Sequence, residues 1–163
     1  MRKRRVKDHL PKISVIIDDD RWTRCNDYDF WRNKIEEVSR AVGRNALEFS
    51  VLLTNDKEIQ NLNLRFRGKD HPTNVLSFYE YSPKDVACGM AKGFLGDIAL
   101  SYETIVREAN EGSLELLNHF SHLLVHSILH LLGFDHVNDR DAKIMEICEI
   151  AILKKLGIKN PYD

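Results

Sequence analysis

Paired cysteine is what this chain most plainly lacks. Its three cysteines, Cys25, Cys88 and Cys148, are odd in number, far apart and free of any Cys-x-x-Cys spacing. That argues against both a disulfide framework and a thiolate zinc site, and it fits a reducing cytoplasm. Missing too is any charge-free apolar run of about 18 residues, the minimum for a membrane span. The start, Met1-Arg2-Lys3-Arg4-Arg5, has the charge of a signal-peptide n-region, but Asp18-Asp19-Asp20 cuts off the short apolar stretch from Ile13 to Ile17, so no secretion signal is expected. A soluble cytoplasmic protein with no membrane partner follows as the expectation. A prevailing sign of charge is also absent: charged residues make up 30% of the chain yet nearly cancel to a formal net charge of -1. The whole molecule therefore lacks the basic field of dedicated nucleic-acid binders, and any basic surface must be local. The N-terminal run is one candidate, able to touch an RNA backbone, although the usual fate of such a segment (residues 1–12) is a flexible basic tail.

What is present suffices for one compact domain over residues 1–163, with 43% hydrophobic residues to build a core. Ile13 to Ile17 reads as a β-branched strand. A helix is expected from about Asp27 to Val42, with Trp31, Ile35, Val38 and Val42 at helical spacing and Gly43 ending it. Leu47, Phe49 and Val51 alternate with polar residues in a second strand, so strand, helix, strand suggests a parallel crossover. Asn55 or Asp56 can cap a short helix carrying Ile59 and Leu62, followed by a polar loop from Arg65 to Thr73. Val75 to Tyr81 and Phe94 to Ser101 read as antiparallel strands joined by a loop with Pro83 and several glycines. Three more helices complete the chain: about Tyr102 to Asn110, one opening after Ser113, and one from Asp139 to Leu156, whose Ile144, Ile147, Cys148, Ala151 and Ile152 form an apparent core stripe. The predicted fold is α/β (α+β), a small mixed four-stranded sheet packed against about five helices.

The chemistry concentrates in the run His126-Ser127-Ile128-Leu129-His130-Leu131-Leu132-Gly133-Phe134-Asp135-His136. Helical residues four apart share a face, so His126 and His130 can aim at one point. Gly133 accepts the left-handed backbone at a helix end, which lets the chain fold back and return His136 to the same place. Packing alone would prefer leucine to imidazole on a buried face. Three nitrogen ligands leave a zinc ion one open position, the arrangement of catalytic rather than structural zinc. His119 and His122 continue the stripe upstream as second-layer partners, substrate contacts or alternative ligands. Asp135 could orient an imidazole or accept a proton, or simply form the turn.

Hydrolysis is the natural reaction class for such a site. The zinc-protease pattern His-Glu-x-x-His needs a glutamate after the first histidine, where this chain has Ser127, which lowers a peptidase reading without removing it. Phosphodiester cleavage asks instead for positive charge beside the metal. Arg67 is the first choice, since guanidinium offers phosphate a planar fork and stays ionised. By composition alone, three cations between Arg65 and Lys69 also describe an ordinary solvated loop.

These residues resemble the signature of the YbeY family of bacterial endoribonucleases. The likeness extends to Arg67-Gly68-Lys69-Asp70, to Pro72-Thr73-Asn74-Val75-Leu76-Ser77-Phe78 and to Leu95-Gly96-Asp97-Ile98, in order and approximate spacing, from about residue 55 to the C-terminal helix. It implies a single-domain metalloprotein with His126, His130 and His136 on one zinc per chain and Arg67 as the functional arginine. It also implies cleavage of single-stranded RNA in ribosomal RNA maturation, at the small-subunit 3′ end, and in ribosome quality control, with ribosomal proteins as further partners. The alternatives are a ribosome-assembly factor with a mainly structural zinc, and a zinc peptidase or amidase. One departure stands out: Ser127 replaces the family's usual glycine, which adds a hydroxyl near the metal and bears on clearance above it.

Overall fold

Alternation of side chains across each strand decides how this molecule is layered. The computed structural model describes residues 12–43 and 47–163. The expected N-terminal tail, apart from Lys12, lies outside the described residues. Strands β1 (Ile13–Ile17), β2 (Glu48–Thr54), β3 (Val75–Tyr79) and β4 (Phe94–Ser101) form one sheet in the order β1-β2-β4-β3. The pairs β1/β2 and β2/β4 are parallel, while β3 runs antiparallel at the edge, with Val75 opposite Leu100 and Tyr79 opposite Gly96. Odd-numbered residues of β2 (Phe49, Val51, Leu53) and even-numbered residues of β4 (Ile98, Leu100) point to one face and join the main core. Ala99, between them, points to the other face and packs with Ile59 and Leu76.

Among the described residues there are six α-helices, α1 (Tyr28–Val42), α2 (Asp56–Arg67), α3 (Pro83–Ala87), α4 (Tyr102–Glu111), α5 (Leu116–Leu131) and α6 (Asp139–Lys155), with a 3-10 turn at Asp20–Thr23. Helices α1, α5 and α6 fill the main core, and α2 takes the opposite face. Asn55 caps α2, one of the two residues the sequence offers for that role, and Asp27 caps α1, each side chain accepting a backbone N–H three residues on.

Three expectations need correction. Helix α2 continues through Arg67 and ends at Gly68, so Arg65 to Arg67 form its last turn rather than a loop. The loop around Pro83 contains α3, opened by Ser82, whose side chain accepts from Asp85 N–H, with proline at the first helical position where its missing N–H costs nothing. The core stripe of α6 is Met145, Glu149, Ile152 and Leu153, whereas Ile144 and Ile147 are 44% and 55% exposed. Among the described residues no helix is long and apolar enough to cross a membrane.

Helix α5 is the element that positions the site. Phe120, Leu124, Ile128 and Leu131 on it are fully buried, while His122, His126 and His130 form its half-exposed stripe. Rotating the helix to bury the histidines would expose those side chains at about 1.5–3 kcal/mol each. Gly96 lets β4 pass close beneath this helix. A Cβ there would lie 2.1 Å from the Phe78 carbonyl oxygen and 2.9 Å from a Leu131 methyl, at a φ of 146°.

Candidate functional site

The exit from α5 is built as the spacing predicts, and hydrogen bonds fix it. Gly133 has φ 90°. Its N–H reaches the His130 carbonyl at 3.0 Å, and the Phe134 N–H reaches the Leu129 carbonyl at 3.0 Å. These two bonds satisfy carbonyls the helix end would otherwise leave open and turn the chain back on itself. The turn brings His136 beside the helical pair, with its ring centroid 5.4 Å from that of His126 and 4.9 Å from that of His130. One nitrogen from each of the three rings lies within 4.8 Å of the others.

Partners behind the rings decide which nitrogens face forward. His130 donates its Nδ1 proton to the Phe134 carbonyl at 3.0 Å, because a carbonyl can only accept. His126 Nδ1 meets the carboxylate of Glu149 in the same way. Both rings therefore turn Nε2 forward, and these two atoms sit 3.0 Å apart. Burial, reinforced by the neighbouring His126 and His136, lowers the His130 pKa to about 4, so the ring is neutral at pH 7. When both rings are neutral their Nε2 lone pairs face one another, and a cation is the partner that satisfies both at once. Nitrogens on a tetrahedral zinc stand about 3.3 Å apart, given Zn–N bonds of about 2.0–2.1 Å, so the donor set fits such an ion.

Glu149 was not legible as a site residue in the sequence. It lies on the buried stripe of α6 at 1% exposure and accepts from His126, from the Tyr162 hydroxyl and, at 3.4 Å, from His122 Nε2. Burial alone would raise its pKa, but the hydrogen bonds from His122, His126 and Tyr162 outweigh it and pull the value down to about 2. The signal was a carboxylate interrupting an apolar helical face, where a lone charge is too costly to leave without partners. Asp135 instead accepts the His136 backbone N–H at 2.7 Å and serves the turn. His119 pairs with Glu108 at 2.8 Å, away from the three-ring cluster. Ser127 is fully buried and does not line the cleft, so its side chain does not narrow the space in front of the three rings.

The cluster opens into a cleft of about 820 Å³ between α5 and the free edge of β3. Arg67 reaches that cleft from the end of α2, donating an N–H to the Ser77 carbonyl at 2.9 Å and lying 5.9 Å from the Phe78 ring. A guanidinium has five N–H groups, so this anchor leaves donors for an anion. The structure thus brings Arg67 and the three histidines, distant in sequence, to one cavity.

Fold and site together define a small α+β protein with a three-imidazole cluster, able to hold a metal ion, set beside a cation in an open cleft. Comparison with known proteins narrows this class. The family model described as Endoribonuclease YbeY matches residues 17–157, and the chain belongs to that family. It is similar to the Endoribonuclease YbeY of Bradyrhizobium diazoefficiens, at 42% identity covering 94% of this chain and 86% of that one. The protein of that name from Colwellia psychrerythraea is 44% identical, covering 94% of this chain and 97% of its own length. The solution structure of TM1509 from Thermotoga maritima matches with a TM-score of 0.54 at 22% identity, covering 89% of this chain and 91% of that one, a likeness of fold alone.

Proposed function

We propose that this chain is a zinc-dependent endoribonuclease that prefers single-stranded RNA. On this reading it works in the cytoplasm on ribosomal RNA, at the small-subunit 3′ end, in ribosome maturation and quality control. The observation that carries the reading is the convergence of His126 Nε2 and His130 Nε2, 3.0 Å apart, with His136 and Arg67 in one cleft. The family's signature residues support ribosomal RNA as substrate and ribosomal proteins as partners.

His126, His130 and His136 hold the ion. When bound, it supplies Lewis acidity to a phosphoryl oxygen and makes water acidic enough to attack near neutral pH. Glu149 keeps the His126 proton on Nδ1 and the ring aimed into the cleft. Arg67 receives the phosphate and offsets the charge that builds on its oxygens in the transition state. The cleft admits a flexible strand more readily than a wide A-form duplex.

A purely structural zinc is disfavoured because the ring cluster opens to a cavity and, among the described residues, gains no fourth protein donor. A peptidase of the His-Glu-x-x-His kind lacks its glutamate: Ser127 stands at that position, and Glu149 is buried behind His126 rather than standing in the cleft. Elemental analysis and cleavage assays on RNA and peptide, for the wild type, His130→Ala and Arg67→Ala, test the reading. The expected outcome is one zinc per chain and RNA cleavage in the wild type, loss of both in His130→Ala, and retained metal with roughly 100- to 1,000-fold slower cleavage in Arg67→Ala. Peptide turnover that depends on His130, with RNA untouched, would overturn it.

A further inference from the structure

We infer that Phe66 and Tyr79, which lie beside and at the end of edge strand β3 in the cleft, form a stacking platform for unpaired nucleobases beside the phosphate received by Arg67. The inference rests on the RNA-cleavage reading above and deepens it by naming what selects a single strand.

Large aromatic side chains stabilise a fold when buried, yet Phe66 and Tyr79 are 58% and 52% exposed. Both line the cleft that holds the three histidines and Arg67. Phe66 is held in place: it directly precedes Arg67 on the last turn of α2, and its ring rests edge-on against Phe78, centroids 5.3 Å apart. The Arg65 guanidinium lies 5.2 Å from the Phe66 centroid, and that of Arg67 lies 5.9 Å from the Phe78 ring against which Phe66 rests. Tyr79 follows Phe78 at the end of edge strand β3.

Exposed aromatic rings interleaved with arginines suit a single-stranded polyanion with flat bases. The cations meet the backbone, and the rings meet any base, because every base has a π-face. In a duplex both faces of a base are already covered by its neighbours, so such a platform accepts only an unstacked strand. An apolar peptide side chain could use the rings but would leave the surrounding cations without a partner.

The test measures binding by fluorescence anisotropy in a His130→Ala background, so that the strand stays intact. The probes are a short single-stranded oligoribonucleotide and its fully abasic ribose-phosphate counterpart. Cleavage is followed in parallel in chains that keep His130. The base-bearing strand should bind roughly five- to 100-fold more tightly than the abasic one. Phe66→Ala combined with Tyr79→Ala should erase that preference while leaving abasic affinity and, in chains with His130, metal content unchanged, and Phe66→Trp should retain it. A preference that survives the double substitution, in a chain that still cleaves RNA, overturns the platform and leaves the nuclease reading standing. A wild type that neither binds nor cleaves RNA overturns both.

Discussion

Two clusters of polar side chains anchor this fold, and they differ in what they leave undone. Around Asp19 the acceptors are met. Arg21 gives that carboxylate a backbone N–H at 3.0 Å and guanidinium N–H groups at 2.9 and 2.8 Å, and Asn55 adds an amide at 3.1 Å. The same Arg21 reaches Glu103 at 2.8 Å, Glu103 accepts the Asp56 N–H at 3.0 Å, and Asp56 accepts the Ser101 and Thr104 hydroxyls. That network ties the turn after β1 to the first turns of α2 and α4, where carboxylates also complement the helix dipoles. Around Glu149 the carboxylate is equally well supplied, but the His126 ring that meets it turns its other nitrogen forward, into a cleft shared with His130 and His136. A polar cluster that closes on itself holds structure together. One that is closed behind and open in front is built for a ligand.

The largest effect that sharpens this contrast is expected at Glu149. Glu149→Gln keeps the shape but removes the charge that fixes the His126 proton, and it should weaken zinc binding roughly 10- to 100-fold, measured by competition with a chromophoric chelator. Glu149→Ala should add a folding cost of about 1–3 kcal/mol, because the buried partners lose their acceptor. Unchanged metal affinity in Glu149→Gln would make this cluster a second structural network and dissolve the distinction.

Local pattern carried much of the fold and the metal-site candidates, and it failed where pairing is long-range. Strand β4 matches its expected span, Phe94 to Ser101, as a short, largely apolar run that is buried on both faces. The histidine spacing is legible because helix geometry and one glycine suffice to converge the rings. Glu149 was not, since it lies 23 residues from His126 in sequence. Its charge also disguised the true buried stripe of α6, so Ile144 and Ile147 were read as core in its place. Arg67 lies in the cleft, but on the last turn of α2 rather than in the loop its polar surroundings suggest, because that turn offers the cleft Phe66 and Arg67 rather than a continuous apolar face.

A smaller effect is expected from the closed cluster, and its sign with pH is opposite to that of a group whose pKa folding raises. Hydrogen bonds from Arg21 hold the Asp19 carboxyl well below its ordinary value of 3.8. As pH falls below that value the unfolded chain takes up the proton first, so it binds more protons than the folded chain and stability drops with pH. The contribution of Asp19 is therefore present in full above its unfolded pKa and is lost as pH falls towards the folded one. Asp19→Asn should cost about 1.5 kcal/mol at pH 7 in urea melts. The difference between wild type and variant should shrink as pH is lowered from 4 towards 2. A difference that stays constant across that range would mean the charge of Asp19 does not hold this corner.

The smallest effect belongs to a hydroxyl that is neither closed nor poised. Ser121 and Ser127 are both fully buried on α5, but Ser121 donates to the Leu117 carbonyl at 2.7 Å, whereas Ser127 has no partner among the described residues. Burying an unpaired hydroxyl is unfavourable, and alanine is also the better helix former. Ser127→Ala should therefore stabilise the fold by up to about 1 kcal/mol in thermal or urea melts, with zinc affinity and RNA cleavage unchanged. Ser121→Ala should gain less, because it gives up a bond that is made. If Ser127→Ala instead weakens zinc binding, the hydroxyl belongs to the open cluster, and the boundary between the two kinds of network runs through α5 rather than around it.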